Sequence, residues 1–154
     1  MIHIHIIWVG KTQEKAINHL VQDYINRLRP YAKIEITEIR DPKLKSIQES
    51  QTKERDDITK QITNTDYLVC LDENGKQFSS QEFSTELSNL KNRSVSRFCF
   101  VIGGSFGIHP DLLNDADLRL SFSKMTFTHE MIRPFLLEQL YRACMIETGS
   151  KYHH

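Results

Sequence analysis

Two short and almost uninterrupted runs of apolar residues constrain the fold of this 154-residue chain more than any other feature. The runs cover residues 66–71 (DYLVCL) and 97–102 (RFCFVI), and a segment with helical apolar spacing lies between them. A strand that is apolar on both faces is typical of a parallel sheet covered by helices. We therefore predict an α/β fold, and the chain length suits a single domain over residues 1–154.

The rest of the chain fits the same alternation of strands and helices. Apolar residues recur at helical spacing between Ile17 and Leu28, so we predict a helix there, with Thr12 as its N-cap and Pro30 closing it. Alternating or apolar runs predict the other strands, which cover residues 2–9, 33–39 and 118–123. The remaining predictions are an exposed helix within residues 40–65, a turn at 72–75, a helix from about Ser80, a short helix from about His109 and a long C-terminal helix.

Composition restricts the compartment and the chemistry of this protein. The three cysteines are odd in number and far apart, and two lie in apolar runs, so we predict free thiols in a cytoplasmic protein. No apolar run is long enough to span a membrane, and the N-terminal residues do not resemble a signal peptide. His3 and His5 have no cysteine or carboxylate partner at ligand spacing, so we expect a solvent-facing or interface pair and no metal.

The charge balance gives little support to nucleic-acid binding by the whole surface. The 20 basic and 20 acidic residues cancel, whereas affinity for phosphates usually needs a basic face. The segment from Arg119 to Arg133 is different, because it contains three basic residues and only one acidic residue, Glu130. A local basic patch is therefore compatible with a neutral protein.

The C-terminal residues 128–154 hold an unusual set of reactive side chains. The segment is predicted to be helical and carries His129, Arg133, Glu138 and Arg142, before the chain ends in Tyr-His-His. A chain terminus is usually polar and frayed, so one interpretation is a plain surface tail or the remnant of a tag. The other is an active-site tail that folds over a substrate, because tyrosine stacks on bases and histidine moves protons near neutral pH. The tail alone leaves both interpretations open.

Residues that follow the predicted strands form a second candidate site. Ligands of open α/β sheets bind beyond the carboxyl ends of the strands, which places residues 71–73, 103–107 and 121–127 at such a site. The paired glycines Gly103 and Gly104 allow close backbone approach, but the run is neither GxGxxG nor a phosphate loop. The stretch FSKMTF (residues 122–127) fits an apolar slot for an adenine ring or a core strand, and the residues alone favour the strand.

Several motifs together resemble a known family. FVIGGSFG (residues 100–107), LSFSKMTF-x-H (120–129), R-x-x-L-x-EQLYRA (133–143) and a terminal Tyr-His strongly resemble the RlmH family of bacterial SPOUT methyltransferases. The resemblance runs the whole length of the chain and includes LDENGK at residues 71–76. It implies S-adenosylmethionine as cofactor and methylation of N3 of a pseudouridine in 23S ribosomal RNA. It also implies a deep trefoil knot in the C-terminal third and a homodimer whose site is completed across the interface.

The resemblance also assigns residues to roles. Cofactor contacts carried over from the family are Leu71, Gly103, Phe122, Ser123, Lys124, Met125, Thr126 and Phe127. For catalysis we expect His153 to accept the N3 proton, Arg142 or His129 to stabilise the charge that develops, and Tyr152 to contact the uracil ring. Lys124 and Arg133 are candidates for phosphate contacts, and Glu138 is expected to pair with Arg142 in a structural role.

Two departures and two alternatives qualify this interpretation. His154 stands where the family usually has Lys or Arg, and Pro134 stands where it usually has an aliphatic residue. If the helix begins near His129, Pro134 should kink it, whereas a cap at Arg133 would make Pro134 a comfortable first residue.

The alternative functions are a non-catalytic ribosome-binding or assembly factor on the same fold, and a small nucleotide- or flavin-binding protein. Because the surface is neutral, we expect the substrate to be the assembled ribosome rather than naked RNA.

Overall fold

A five-stranded sheet, in which every pairing is parallel, organises residues 1–153, the part of the chain that the computed structural model describes. The strands are β1 (Ile2–Val9), β2 (Ala32–Ile39), β3 (Tyr67–Gln77), β4 (Arg97–Ile102) and β5 (Leu118–Ser121). Their order in the sheet is β2-β1-β4-β3-β5. The predicted parallel α/β architecture is confirmed. His154 and its departure from the family pattern lie outside the described residues.

Helices cover both faces of the sheet, which explains why the central strands are apolar on both sides. The helices are α1 (Lys15–Leu28), α2 (Ile47–Thr59), α3 (Ser80–Asn92), α4 (Pro110–Asp115) and α5 (Ile132–Glu147). The larger core cluster joins α1, α3 and α5 to one sheet face, and the smaller cluster joins α2 and α4 to the other. Residues Phe98 to Val101 of β4 are fully buried between these layers. Each such large apolar side chain contributes about 1.5–3 kcal/mol on burial.

The third strand is longer than predicted. Leu71 and Lys76 both pair with Leu120 of β5, so residues 72–75 leave the ladder and the strand resumes beyond them. The predicted turn is therefore an excursion inside β3. A Cβ added at Gly75 would lie 2.6 Å from the carbonyl carbon of Arg119, so the two backbones approach too closely for a side chain.

Helices α1 and α5 both begin differently from the sequence prediction. The N-cap of α1 is Glu14 rather than Thr12, and its side chain makes no capping bond. Instead, Oε1 of Glu130 accepts from the main-chain N–H groups of Gln13 (2.7 Å) and Glu14 (3.1 Å). A distant carboxylate therefore supplies the cap, and its charge also suits the helix N-terminus.

Helix α5 begins at Ile132, so His129 precedes the helix rather than lying on it. Pro134 is the third helical residue, neither deep in the helix nor its first position. The first four N–H groups of a helix have no intrahelical acceptor, so the missing N–H of Pro134 removes no helical hydrogen bond.

The expected solvent-facing position of the N-terminal histidines is wrong for His5. His5 is 1% exposed, with Nε2 2.8 Å from the Thr37 hydroxyl, and its burial lowers its pKa. His3 contacts Glu35 at 2.9 Å. Residues 1–153 contain no group of three or more His, Cys, Asp or Glu side chains placed to hold a metal. No helix in that range is long and apolar enough to cross a membrane.

The three cysteines are free thiols, as predicted. Cys70 and Cys99 are buried in β3 and β4, and burial raises the pKa of each thiol to about 12. A buried thiol that stays protonated is a packing group rather than a nucleophile.

Candidate functional site

A cavity of about 1040 Å³ opens at the carboxyl ends of β3, β4 and β5. It is lined by residues 71–73, 102–108, 120–123 and 125–130, together with Glu14, Ile17, Leu113 and Ile132. This is the edge of the sheet at which open α/β folds bind ligands. The cavity therefore coincides with the strand-end segments that the sequence marked as a site.

Seven of the eight predicted cofactor residues line this cavity. They are Leu71, Gly103, Phe122, Ser123, Met125, Thr126 and Phe127. Lys124 is the eighth; it is exposed and does not line the cavity. The structure thus brings these residues together, while their contacts to a cofactor stay predictions.

The stretch after β5 is a loop held by its own hydroxyl groups, not the core strand that the residues alone favoured. Strand β5 ends at Ser121, two residues earlier than predicted, and Met125 is 74% exposed. The Ser121 hydroxyl contacts the carbonyl oxygens of Glu73 (3.0 Å) and Ser123 (2.9 Å). Thr126 donates to Oε2 of Glu73 at 2.7 Å. These bonds fix the loop against the excursion in β3.

The glycine run forms a tight loop on the opposite wall. A Cβ added at Gly103 would lie 2.7 Å from the carbonyl carbon of Gly107, a distance that real Cβ atoms do not show. Gly104 and Gly107 form an isolated antiparallel bridge. From the exposed helix α2, Gln51 donates to the carbonyl oxygen of Phe106 at 2.9 Å and supports the loop. The close approach requires glycine at 103 and explains the motif structurally.

The cavity wall is acidic. Four carboxylates line it, those of Glu14, Asp72, Glu73 and Glu130, and no Lys or Arg within residues 1–153 does so. His129 is the remaining ionisable side chain on the wall. The lining therefore favours a ligand that carries positive charge.

The C-terminal tail folds back onto α5 and forms a polar cluster there, which we call the tail cluster: Glu138, Arg142, Tyr152 and His153. Oε1 of Glu138 accepts from Nε (3.0 Å) and Nη2 (2.5 Å) of Arg142, and from the Tyr152 hydroxyl at 3.3 Å. The guanidinium lies 4.9 Å from the Tyr152 ring centroid, and its Nη1 lies 3.4 Å from Nδ1 of His153. The predicted Glu138–Arg142 pair is confirmed.

Neighbouring groups shift two ionisations in the tail cluster. The hydrogen bonds that Arg142 donates to Glu138 raise the pKa of Arg142, so its positive charge is retained. Burial raises the pKa of Tyr152, and a hydrogen bond with Tyr24, whose hydroxyl lies 3.4 Å away, raises it further. Tyr152 is therefore a neutral hydroxyl at physiological pH.

The predicted catalytic residues fall into two places. Arg142, Tyr152 and His153 are together in the tail cluster, whereas His129 lines the large cavity. A second cavity of about 280 Å³ lies between them: it shares Leu120, Ser121, Phe122 and Phe127 with the large cavity, and Glu138 with the tail cluster.

The proposed phosphate contact by Arg133 is wrong. Arg133 is 0% exposed; Nη2 donates to the Val9 carbonyl oxygen and Nη1 to the Thr12 hydroxyl, both at 2.8 Å. Its guanidinium also lies 4.8 Å from the Trp8 ring centroid. Such a buried group cannot reach a phosphate and instead ties α5 to the loop after β1.

A parallel α/β sheet with a large cavity at the carboxyl ends of its strands defines a class of ligand-binding enzyme domains. The chain belongs to the SPOUT methyltransferase family. The family model, described as "Predicted SPOUT methyltransferase", matches residues 2–153. Membership of a methyltransferase family implies a methyl donor as cofactor.

Similar proteins support the family over the full length. A protein of Christiangramia forsetii named "Ribosomal RNA large subunit methyltransferase H" is 42% identical over 154 residues, covering 98% of each chain. A protein of Clostridioides difficile with the same name is 40% identical over 158 residues, covering 99% of each. The fold is similar to that of a probable methylase family protein from Haemophilus influenzae, with a TM-score of 0.60 and 11% identity. That similarity covers 98% of this chain and 70% of the other.

Proposed function

We propose that this protein transfers a methyl group from S-adenosylmethionine to N3 of a pseudouridine in 23S ribosomal RNA. The observation that carries the proposal is the arrangement of an acidic cavity, lined by the family motifs, beside the tail cluster. Relatives 42% and 40% identical to this chain are named as large-subunit ribosomal RNA methyltransferases, which supports the substrate class.

The residues of the large cavity fit S-adenosylmethionine. The cofactor carries one net positive charge, and the wall supplies four carboxylates. Its adenine needs an apolar slot, which Leu71, Phe122 and Phe127 on the cavity wall offer. When bound, the cofactor supplies a methyl group already activated by its sulfonium.

The work left to the protein is alignment of the base and management of one proton. Loss of the N3 proton puts negative charge on the two flanking carbonyl oxygens of the ring. Arg142 is the group that stabilises this charge, because Glu138 holds its guanidinium by two donors and keeps it charged. Tyr152 contacts the ring, with its hydroxyl fixed by Glu138.

His153 accepts the proton, directly or through water. Nδ1 of His153 faces an N–H of Arg142, so the neutral ring carries its hydrogen on Nε2. Nδ1 of His153 is then the atom that accepts the N3 proton of the nucleobase. It gives up its contact with Nη1 of Arg142, which at 3.4 Å is long for a hydrogen bond. His129, on the wall of the large cavity, is the second candidate for stabilising the developing charge.

The proposal includes the knot and the homodimer of the family. After β5, at the sheet edge, the chain returns to β1, where Glu130 and Arg133 bind the loop of residues 9–14. This path supports a knotted C-terminal segment. Exposed apolar side chains on α1 and α5, such as Leu20 (46%) and Phe135 (39%), support a face for a second copy.

The test is transfer of labelled methyl from S-adenosylmethionine to large ribosomal subunits that lack the modification. We expect transfer by the full chain and none after truncation following Lys151, with cofactor binding retained by both. Mapping the methyl to N3 of a pseudouridine by mass spectrometry tests the position. Equal methylation of free 23S RNA would refute the requirement for an assembled particle.

Cofactor binding without transfer to any ribosomal substrate would favour the non-catalytic ribosome-binding factor. A chain that binds no S-adenosylmethionine would contradict the proposal altogether. Such a factor needs no open cavity at the strand ends, whereas this chain has one of about 1040 Å³. The methyltransferase is therefore the function that the geometry supports best.

A further inference from the structure

We propose that the second cavity receives the target base and that Gln139 and Glu138 read the N1–H group of pseudouridine there. This inference rests on the proposed function and names the subsite that selects its substrate. It follows from the position of the cavity, its walls and the free acceptors on its polar edge.

The position of the second cavity suits the acceptor of a methyl transfer. Leu120, Ser121, Phe122 and Phe127 line both cavities, so a ligand in the smaller one lies directly beside a ligand in the larger one. On its other side Glu138 joins it to Arg142 and Tyr152. A base bound in the second cavity would therefore lie between a methyl donor in the large cavity and the side chains of the tail cluster.

The size and walls of the second cavity suit a single flat ring. Its volume of about 280 Å³ is enough for one nucleobase with part of its sugar. Its aromatic lining includes Phe78, Phe122, Phe127 and Phe135. The rings of Phe127 and Phe135 meet edge to face, with their centroids 5.5 Å apart. A base that leaves its helix is held by such aromatic stacking, whatever its hydrogen-bonding pattern. The aromatic walls therefore bind a base but do not identify it.

The polar side chains of the second cavity identify the base, and hydrogen bonds fix their orientation. The Ser80 hydroxyl donates to Oε1 of Gln139 at 2.7 Å, and Nε2 of Gln139 donates to Oε2 of Glu138 at 2.8 Å. Arg142 and Tyr152 use the other oxygen of Glu138. Each amide or carboxylate oxygen has two lone pairs, so, counting partners within residues 1–153, Oε1 of Gln139 and Oε2 of Glu138 each keep one free acceptor position.

Two free acceptors match the one polar difference between pseudouridine and uridine. Pseudouridine is joined to its sugar through carbon, which leaves a donor at N1 in addition to the N3–H that is methylated. In uridine N1 carries the sugar and donates nothing. A fixed acceptor beside the ring therefore favours pseudouridine by about tenfold or more, because with uridine it would stay unpaired.

The test compares methylation of large subunits that carry pseudouridine or uridine at the target position. The wild-type chain is expected to prefer pseudouridine. Gln139→Met keeps the shape of the side chain and removes its acceptor, so kcat/KM on pseudouridine should fall about tenfold while the rate on uridine stays unchanged. Ser80→Ala keeps Gln139 but removes the hydrogen bond that orients its side chain, so it should also lower the preference for pseudouridine. Ser88→Ala, on the same helix and bonded to Glu147 outside both cavities, is the matched control.

The outcomes separate this inference from the proposed function. S-adenosylmethionine affinity should be the same for all four chains, which also shows that each is folded. No transfer by the wild type to either substrate would overturn the proposed function and the inference with it. Transfer by the wild type with no preference for pseudouridine, or with a preference that survives both Gln139→Met and Ser80→Ala, would overturn the inference alone.

Discussion

The guanidinium of Arg133 donates a hydrogen bond from Nη2 to the main-chain carbonyl oxygen of Val9, at 2.8 Å and across 124 residues of sequence. Nη1 donates to the Thr12 hydroxyl, while Nε is buried with no hydrogen-bond partner among residues 1–153. Burial lowers the pKa of Arg133. Because this charge is fully buried, the contact is structural: it connects the start of α5 to the loop that leads from β1 to the large cavity.

Replacing Arg133 should therefore destabilise the fold. Arg133→Met keeps the length of the side chain but leaves the Val9 carbonyl oxygen without its donor. We expect the free energy of unfolding to fall by about 2–4 kcal/mol in urea titration. Arg29→Met, at an exposed position, is the matched control and should change it by less than about 0.5 kcal/mol. Equal unfolding midpoints for the two variants would contradict the structural role.

Glu54 makes stability depend on pH near neutrality. It lies on α2 against the glycine loop, where a Cβ at Gly104 would be 3.0 Å from its Oε1. Burial, and then the charge of Asp41, raise the pKa of Glu54 from 4.5 to about 7. The folded state thus holds a proton that the unfolded state releases above pH 4.5, so the free energy of unfolding falls between pH 4.5 and 7.

Glu54→Gln removes this penalty. At pH 8 the variant should be more stable than the wild type by on the order of 1 kcal/mol, after allowance for partial solvent screening. At pH 4.5 the two should be equal. Thermal unfolding across this range measures the difference, with Glu49→Gln, an exposed carboxylate of the same helix, as control. A difference that does not change with pH would refute the assignment.

Much of the architecture could be predicted from the sequence because its causes are local. Strand β1 (Ile2–Val9) and strand β4 (Arg97–Ile102) match their predicted bounds, since alternating or continuous apolar residues report burial directly. The helix predicted from about Ser80 is α3 (Ser80–Asn92), and Pro30 follows the end of α1 as expected. The Ser79 capping box adds a local signal at the start of α3.

The errors arise where distant residues act on each other. The cap of α1 comes from Glu130, more than 110 residues away, so its own sequence gives no sign of it. In the sequence Arg133 resembles a surface charge, because its hydrogen bonds to Val9 and Thr12 join residues more than 120 positions apart. Within the tail cluster, the i,i+4 spacing of Glu138 and Arg142 predicted their pair. The contact of Tyr24 with Tyr152 has no such signal.

Arg142 should be needed for turnover far more than for stability. Arg142→Lys keeps the charge but loses the planar set of donors that contacts both Glu138 and His153. We expect the single-turnover rate of methyl transfer to large subunits to fall about tenfold or more. The free energy of unfolding should change by less than about 1 kcal/mol, as is usual for partly exposed ion pairs. Arg27→Lys, which changes a neighbouring arginine that contacts the Tyr24 and Tyr141 rings and Asp23, should leave the rate near that of the wild type.

The acidic wall of the large cavity should distinguish the cofactor from its product by charge. S-adenosylmethionine carries a positive sulfonium, whereas S-adenosylhomocysteine has a neutral sulfur and no net charge. Asp72→Asn removes one of the four carboxylates without changing its shape. At low salt it should weaken binding of S-adenosylmethionine about two- to fivefold and leave binding of S-adenosylhomocysteine unchanged.

Calorimetric titration of both ligands against wild type and Asp72→Asn measures this selectivity. Raising the salt should reduce the difference, because a partly exposed carboxylate is screened. Equal weakening of both ligands would mean that Asp72 acts by shape or hydrogen bonding instead. Charge selectivity of this kind would let the product leave more readily than the cofactor, since transfer of the methyl group removes the charge that the wall attracts.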